Sequence, residues 1–477
     1  SLAQFTAPGD RNKAWTASCF VSEGGPPVDS AEKGGIIYLR LNPACESDVR
    51  TNPYIATPVW GRRMKSQAAF KVRHRCVKCD KLFPHRLTPF CEACGGMVDV
   101  EYNLERANLY DSENPLERFF DLLPIEDPAL LPAAPMQFTP CIHAEKLGSL
   151  FGMPHLYLKN ETVLPTRTTK DRMAIVSLAF LYECGVRKFC TSSTGNSSSA
   201  FAHAISRYSD CRMFLFTAED FWDRVQYRAT DQVVHFVLRD ATFVDAFRLA
   251  TSFGSRHNIT SERGFFNPGR REGLKLAFLE AAEQIPRPID WYVQSVSSAM
   301  GVYGSYKGAK ELLRMGRISR LPRLLCVQQE TCAPMVRAFE AGSKVIRPQD
   351  IVHNPTGIAQ AILRGDPTRA YLYVREIVVE SGGTFIAVSE QEIREARRMV
   401  EETEGISPCF SASAALAGLK KLVHKGSFPR EETVLVNLTG GDRPRTGDLP
   451  KAHWLQRNGQ DWSPDPDDHL AQTFWNT

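Results

Sequence analysis

The sequence predicts an α/β fold with largely parallel sheets, accompanied by a small metal-binding module. Two observations carry this. From about residue 141 to 440, short apolar runs alternate with amphipathic stretches, the pattern of strands joined by crossover helices. Ahead of that region stand two CxxC pairs, Cys76-Val-Lys-Cys79 and Cys91-Glu-Ala-Cys94.

Taken in order, residues 1–67 are rich in proline and glycine and read as an irregular arm, with one strand-like run, Gly35–Leu41. They imply no particular function. A helix is expected from Pro115 to Leu123, then a proline-rich connector to residue 140. Beyond it, apolar runs predict strands at 155–159, 187–191, 212–217, 234–238, 291–295, 323–328, 384–388 and 433–438. Helical spacing of apolar residues predicts helices at 171–184, 196–207, 221–228, 271–283, 303–314, 390–402 and 411–423. The polar stretch 443–477, with Pro464-Asp-Pro-Asp-Asp468, reads as a C-terminal surface tail.

The bulk numbers set bounds. The chain has 477 residues, 43% hydrophobic and 23% charged, with a net charge of +4. That composition is ordinarily globular, and the charge does not indicate a dedicated nucleic-acid binder. No apolar run reaches the roughly 18 residues that span a bilayer, and no leader pattern opens the chain, so no membrane association and a cytoplasmic setting are expected. Thirteen cysteines, four of them closely paired, then suggest a metal site in a reducing compartment and not disulfides.

Cys76, Cys79, Cys91 and Cys94, with an eleven-residue spacer between the pairs, can close a tetrahedron around one Zn²⁺. Gly95 and Gly96 after the second pair permit the tight knuckle turn. Four thiolates leave no open coordination position, so the site is expected to be structural. A redox role for the pairs is the alternative. His74 and His85 flank the cluster without being needed as ligands. A ribbon of this kind, covering about residues 68–102, can also bind nucleic acid or protein, which is the main non-enzymatic reading.

Four further segments carry chemistry. Lys170 ends a polar, β-branched stretch, Thr166-Arg-Thr-Thr-Lys170, and begins an apolar helical one, so it sits at a helix start near unpaired N–H groups. A lysine there has reason to lose its proton easily, which suits a Schiff-base nucleophile; the alternative is a solvated lysine. Thr191-Ser-Ser-Thr-Gly-Asn-Ser-Ser-Ser-Ala200 comes after a strand and opens a helix, which suits a carboxylate or phosphate or a plain helix cap. Ser295-Val-Ser-Ser-Ala-Met-Gly301 has small side chains that let N–H groups approach a phosphate, or is a simple strand-to-helix turn. Leu435-Val-Asn-Leu-Thr-Gly-Gly-Asp442 ends a buried strand in Thr439, whose hydroxyl can reach a neutral pyridine nitrogen or merely close the strand.

Together these segments resemble the fold-type II pyridoxal-phosphate (PLP) enzymes, most closely the threonine synthase and cysteate synthase group with a zinc ribbon. Pro165–Arg172 resembles PTGSFKDR, whose lysine forms the internal aldimine, which implies Lys170 here. Ser193-Thr-Gly-Asn-Ser197 resembles STGNT, which implies Asn196 beside the cofactor's 3′ oxygen and Ser193, Thr194 and Ser197 toward a substrate carboxylate. Ser297, Ser298, Ala299, Met300 and Gly301 stand where the glycine-rich phosphate cup lies. Thr439 matches the threonine of LTG, and Glu404-Gly-Ile406 with Ser411 resembles EGI…PSSA. The resemblance implies a tryptophan synthase β-like architecture of two open sheet domains: a large domain of residues 103–170 and 286–442, and a small one of 171–285. It also implies a small-molecule amino-acid substrate and a homodimer.

The departures from the pattern are informative. Arg167, Thr168 and Thr169 replace Gly-Ser-Phe, and the cup retains only Gly301. Arg167, a cation in place of glycine, is expected either to contact an anionic substrate group or to be an exposed arginine on a relocated loop. Asp171 and Arg172 are expected to pair with each other structurally, while Arg270, Arg271, His353 and Asn354 are weaker candidates for anion contact. The resemblance implies elimination of a β or γ leaving group, often phosphate, and then addition of a nucleophile. Three readings stand: a threonine synthase-like lyase, a cysteate synthase-like or other β-replacement of phosphoserine, and a zinc-ribbon binding protein whose PLP core has decayed.

Overall fold

A computed structural model describes residues 70–477 except 132–135, 228–229, 427, 444–450, 460 and 477. The strand-like run Gly35–Leu41 lies outside the described residues. The first unit is a three-stranded antiparallel sheet, β1 (Val72–Cys76), β2 (Leu82–Phe83) and β3 (Val98–Tyr102), in the order β2-β1-β3. The β1–β3 register sets Cys76 opposite Val98. Next comes α1 (Pro115–Arg118), started by the Asn114 side chain accepting from Leu116 N–H. The helix expected through Leu123 is interrupted at Phe119 and resumes as a 3₁₀ turn at Phe120–Leu122. Leu116, Phe119, Leu122 and Leu123 are all buried, so the 3₁₀ turn keeps the apolar side of the expected helix inward.

The chain then runs through β4 (Cys141–His143), α2 (Glu145–Phe151), β5 (Leu156–Asn160), α3 (Lys170–Glu183), β6 (Lys188–Ser192), α4 (Asn196–Ile205), β7 (Arg212–Ala218) and β8 (Val233–Leu238). It continues with α5 (Phe243–Arg256), β9 (Thr260–Ser261), α6 (Pro268–Gln284), β10 (Trp291–Ser295), α7 (Met300–Arg314), β11 (Arg323–Gln329), α8 (Pro334–Glu340) and α9 (Thr368–Glu380). Last come β12 (Thr384–Val388), α10 (Glu390–Glu404), α11 (Phe410–His424), β13 (Val434–Leu438), β14 (His453–Asn458), β15 (Asp461–Pro464) and α12 (His469–Trp475).

Two six-stranded sheets result. One has the order β12-β11-β10-β13-β5-β4 and the other β15-β14-β8-β7-β6-β9. Pairing is parallel except at the edge strands β4 and β15. Helices cover both faces of a parallel sheet, so its inner strands read as unbroken apolar runs; every residue of β5, β10 and β13 is buried. The predicted helix at 221–228 is instead a 3₁₀ segment, Glu219–Arg224. Helix α5, which was not expected, starts with a capping box between Thr242 and Asp245, a signal readable in sequence.

The stretch expected to be a polar surface tail builds part of the second sheet. Strand β14 pairs parallel with β8, His453 opposite Phe236, and Trp475 of α12 stands 5.4 Å from both Phe236 and Phe253, ring centre to ring centre. Its apolar residues are few and widely spaced, so no periodicity announced them.

Candidate active site

The first sheet's neighbouring strands β10, β13 and β5 all end on the same side, because they are parallel and adjacent. In such sheets ligands bind beyond the carboxyl ends of the strands. The turns leaving those ends therefore determine the site.

Beyond β5 the chain reaches Lys170, the first residue of α3. The approach is pinned to the end of β13: Thr168 forms a bridge with Gly440, Thr169 N–H donates to Thr439 O at 2.9 Å, and Gly441 N–H donates to Arg167 O at 2.9 Å. A Cβ on Gly440 would come within 2.8 Å of Arg167 O, so glycine there lets the two segments touch. Burial is the main cause, and the Arg270 guanidinium the lesser one, that lowers the Lys170 amine to about 8. Among the described residues, no acidic side chain acts on it.

The residues after Lys170 hold its helix in place. Asp171 is buried and accepts from Thr166 N–H at 2.7 Å and Thr166 Oγ1 at 2.6 Å. Arg172 is fully buried; its Nε donates to Glu161 at 2.7 Å, and its Nη2 to Glu280 at 2.8 Å and Thr139 Oγ1 at 2.9 Å. Lys159 Nζ completes the cluster, 2.7 Å from Glu280. Burial opposes ionisation of Glu161, but the Arg172 guanidinium outweighs it and keeps the carboxyl below its ordinary range. Asp171 and Arg172 are therefore each engaged by other residues and not by one another.

Arg167 has φ +55°, the left-handed region, which costs a side-chain-bearing residue about 1 kcal/mol. Its guanidinium lies against Gly441, where a Cβ would stand 2.9 Å from Nη2. Its Nε is buried with no hydrogen-bond partner among the described residues. Arg167 is half-buried, which sets aside the freely exposed alternative.

Beyond β6 in the second sheet, Ser193 Oγ accepts from the N–H groups of Gly195 (3.1 Å) and Ser198 (3.3 Å), so this hydroxyl folds the turn. Thr194 is half-buried. Asn196 opens α4, and its Oδ1 accepts from Arg443 Nη2 at 2.6 Å. Ser197 Oγ accepts from Arg270 Nη1 at 3.3 Å. Arg270 in turn is held by Glu262, with Nε donating at 2.7 Å. Thr191 Oγ1 donates to the same carboxylate at 2.8 Å.

Beyond β10, Ser297 and Ser298 are half-buried. Ala299, at φ +58°, precedes α7 without capping it by a side chain. The first N–H groups of α7 therefore have no helical partner. A Cβ at Gly301 would approach the Gln294 side-chain amide to 2.7 Å, and Gln294 is itself held by Tyr292 OH at 2.7 Å. Glycine is required there. Ser295 Oγ is buried with no partner among the described residues. Thr439 is half-buried at the end of β13, and its carbonyl is engaged by the backbone of Thr169.

A model of the family "Pyridoxal-phosphate dependent enzyme" matches residues 135–440. This chain belongs to that family. It is 29% identical to a threonine synthase of Methanocaldococcus jannaschii over 379 residues, 77% of this chain and 91% of that one. It is 26% identical to a cysteate synthase of Methanospirillum hungatei over 391 residues, 79% and 91% of the two chains. Among solved structures, the processed form of threonine deaminase isoform 2 from Solanum lycopersicum shares the fold at TM-score 0.52 and 18% identity, covering 64% of this chain and 84% of that one.

The residues present fit PLP chemically. A lysine amine with a lowered pKa suits a carbonyl, unpaired N–H groups at the start of α7 suit a phosphate, and the Thr439 hydroxyl suits a ring nitrogen. Arg443 and Glu262 belong to this neighbourhood, and neither was singled out in sequence. Arg443 comes after Asp442 in a polar stretch without a motif. Arg270 and Arg271, the weaker candidates for anion contact, are buried and paired, the latter with Asp99 at 2.7 Å. His353 and Asn354 are exposed.

The four thiols of Cys76, Cys79, Cys91 and Cys94 lie within 4.8 Å of one another, with Sγ–Sγ distances of 3.4 Å (Cys76–Cys94) and 3.6 Å (Cys79–Cys91). Zn–S bonds of about 2.3 Å in a tetrahedron need sulfurs roughly 3.8 Å apart, so the donor set fits Zn²⁺. A Cβ at Gly96 would meet Cys76 Sγ at 2.9 Å. The ribbon is fixed to the catalytic half by buried charge: Asp99 pairs with Arg271 of α6, and Tyr102 OH donates to Glu272 at 2.8 Å. His74 and His85 contact each other at 3.1 Å and stand outside the thiol set. Among the described residues, no helix is long and apolar enough to cross a membrane.

Proposed function

We propose that this chain catalyses elimination and replacement at the β or γ carbon of an amino acid with an anionic leaving group, in the manner of a threonine synthase. The observation that carries the reading is Lys170, an amine lowered to about 8 and held against the end of β13 at Thr439. Bound PLP supplies an electron sink for the charge left when the Cα proton departs.

The protein's own groups do the rest. Lys170 Nζ would hold PLP, and its amine, once free, would take the Cα proton. Ser297 and Ser298 hydroxyls and the N–H groups of Ala299, Met300 and Gly301 would hold the cofactor phosphate. Thr439 Oγ1 would serve the ring nitrogen, and a hydroxyl there would leave that nitrogen largely unprotonated. Asn196 would serve the 3′ oxygen, while Ser193, Thr194 and Ser197 would bind the substrate carboxylate. Ser193 Oγ accepts hydrogen bonds, which leaves its hydroxyl proton to donate, while the Ser197 hydroxyl is turned to the Met173 sulfur at 4.0 Å, a weak acceptor that a carboxylate would replace. Arg167 receives the anionic part of the substrate; its buried unpartnered Nε and its left-handed backbone support this. Zn²⁺ at the four cysteines is structural.

A second reading, β-replacement of phosphoserine by sulfite or another nucleophile, is favoured by the cysteate synthase relative. Both readings expect a homodimer. The test is a panel of phosphohomoserine and phosphoserine, with water, sulfite and thiols as acceptors, reading phosphate release and product mass. Threonine from phosphohomoserine supports the first reading and cysteate from phosphoserine the second. A PLP-loaded protein that releases phosphate from neither would sink both.

A further inference from the structure

Arg443 lies four residues beyond Thr439, where the chain leaves the first sheet, yet its guanidinium is engaged by helix α4 of the second. Nη2 donates to Asn196 Oδ1 at 2.6 Å and Nη1 to Ser199 Oγ at 2.7 Å. Ser199 Oγ also accepts from Gln226 N–H at 2.9 Å, which anchors the far end of the fork. Room for the guanidinium comes from Gly195, where a Cβ would stand 3.3 Å from Nη2 and 3.0 Å from the Arg224 Cβ. Its φ of +124° favours glycine as well.

A guanidinium has donors and no acceptor. It can meet an amide side chain only at the oxygen, so Asn196 must turn Oδ1 toward Arg443 and its NH₂ away. Without Arg443 the two ends of that amide are nearly equal in shape, and either could face the cofactor. Only the NH₂ end can donate to an anionic phenolic oxygen.

We propose that Arg443 is a positioning residue that fixes the orientation of the Asn196 amide, so that its NH₂ donates to the 3′ oxygen of PLP. The proposal rests on the PLP reading above. It joins Thr439 and Arg443 in one role: the short segment 439–443 supplies the group for the ring nitrogen and the residue that orients the group for the 3′ oxygen.

The test uses the full chain loaded with PLP. Wild type, Arg443→Ala, Arg443→Lys, Asn196→Ala and the Arg443→Ala/Asn196→Ala double variant are titrated with pH while the visible cofactor band is tracked. PLP affinity is measured by equilibrium dialysis, and amide exchange over residues 195–199 is measured without cofactor. Arg443→Ala should move the band's midpoint by about one pH unit and weaken PLP about tenfold, the scale of one charge-linked hydrogen bond. Lysine, a donor-only side chain, should restore most of both. The double variant should match Asn196→Ala, because one residue acts through the other. An Arg443→Ala protein whose band and PLP affinity match wild type, even with faster exchange at 195–199, would reduce the contact to a structural one and overturn the proposal alone. A wild-type chain that takes up no PLP overturns the function reading and this proposal with it.

Discussion

Thr169 donates its backbone N–H to the carbonyl of Thr439 at 2.9 Å. This single bond sets the start of α3 against the end of β13, so the backbone of Lys170 follows directly on a residue bonded to Thr439. It also makes the geometry of Lys170 depend on a strand far away in sequence.

Replacing Lys170 with alanine should abolish the visible band of the PLP-loaded protein and reduce turnover by at least about 10²–10⁴, the range for a lost acid–base group. Circular dichroism should be unchanged, because the Lys170 amine has no acidic partner to strand among the described residues. Absorption spectra and single-turnover rates check this.

The pH dependence of cofactor capture is set by the same amine. Burial and the Arg270 charge both disfavour the ammonium form and bring the lysine to about 8. Capture needs the neutral amine, so its rate should rise with pH to about 8 and level off above it. An unperturbed lysine would keep gaining to about 10.4. Removing the cation by Arg270→Gln should move the profile to higher pH. Stopped-flow mixing of cofactor-free protein with PLP reads the midpoint.

Arg167→Gly separates stability from function. At φ +55° glycine relieves the left-handed strain, so the variant should be more stable by about 0.5–1 kcal/mol. If Arg167 receives the substrate's anion, KM should rise at least about tenfold in the same protein. An unchanged KM would remove the assignment.

The buried charges beneath α3 should be intolerant of single removal. Arg172→Leu leaves Glu161 without its paired cation and Glu280 with Lys159 alone, and such losses cost about 3–5 kcal/mol. Chemical denaturation should show this loss, and the PLP band should weaken with it, since Arg172 lies on the first turn of the helix that carries Lys170.

For the ribbon, elemental analysis should find one zinc per chain, lost in Cys79→Ser. Gly96→Ala should retain less metal, because its Cβ would stand 2.9 Å from Cys76 Sγ and 2.8 Å from Lys78 Cβ. Full zinc content in both variants would refute the four-thiolate site.

Local chemistry along the chain determined much of this protein. The apolar runs that became β5, β10 and β13 are visible because a strand covered on both faces needs no polar residues. The CxxC pairs show because two thiols on one knuckle must be close in sequence. Lys170 and the Ser193–Asn196 turn show because helix starts are built from contiguous residues.

Tertiary structure decided whatever depends on which strands become neighbours. Asn196 meets Arg443, Arg172 meets Glu280, and Asp99 of the ribbon meets Arg271, each pair joined across elements whose adjacency no periodicity encodes. The closing strands β14 and β15 were hidden for the same reason. Their few apolar side chains and those of α12, Leu455 and Trp475 among them, find a core only because β8 presents an open edge to them. Arg167 shows both sides: its place before Lys170 was legible, but the positive φ and the contact with Gly441 that make it unusual exist only once β13 is beside it.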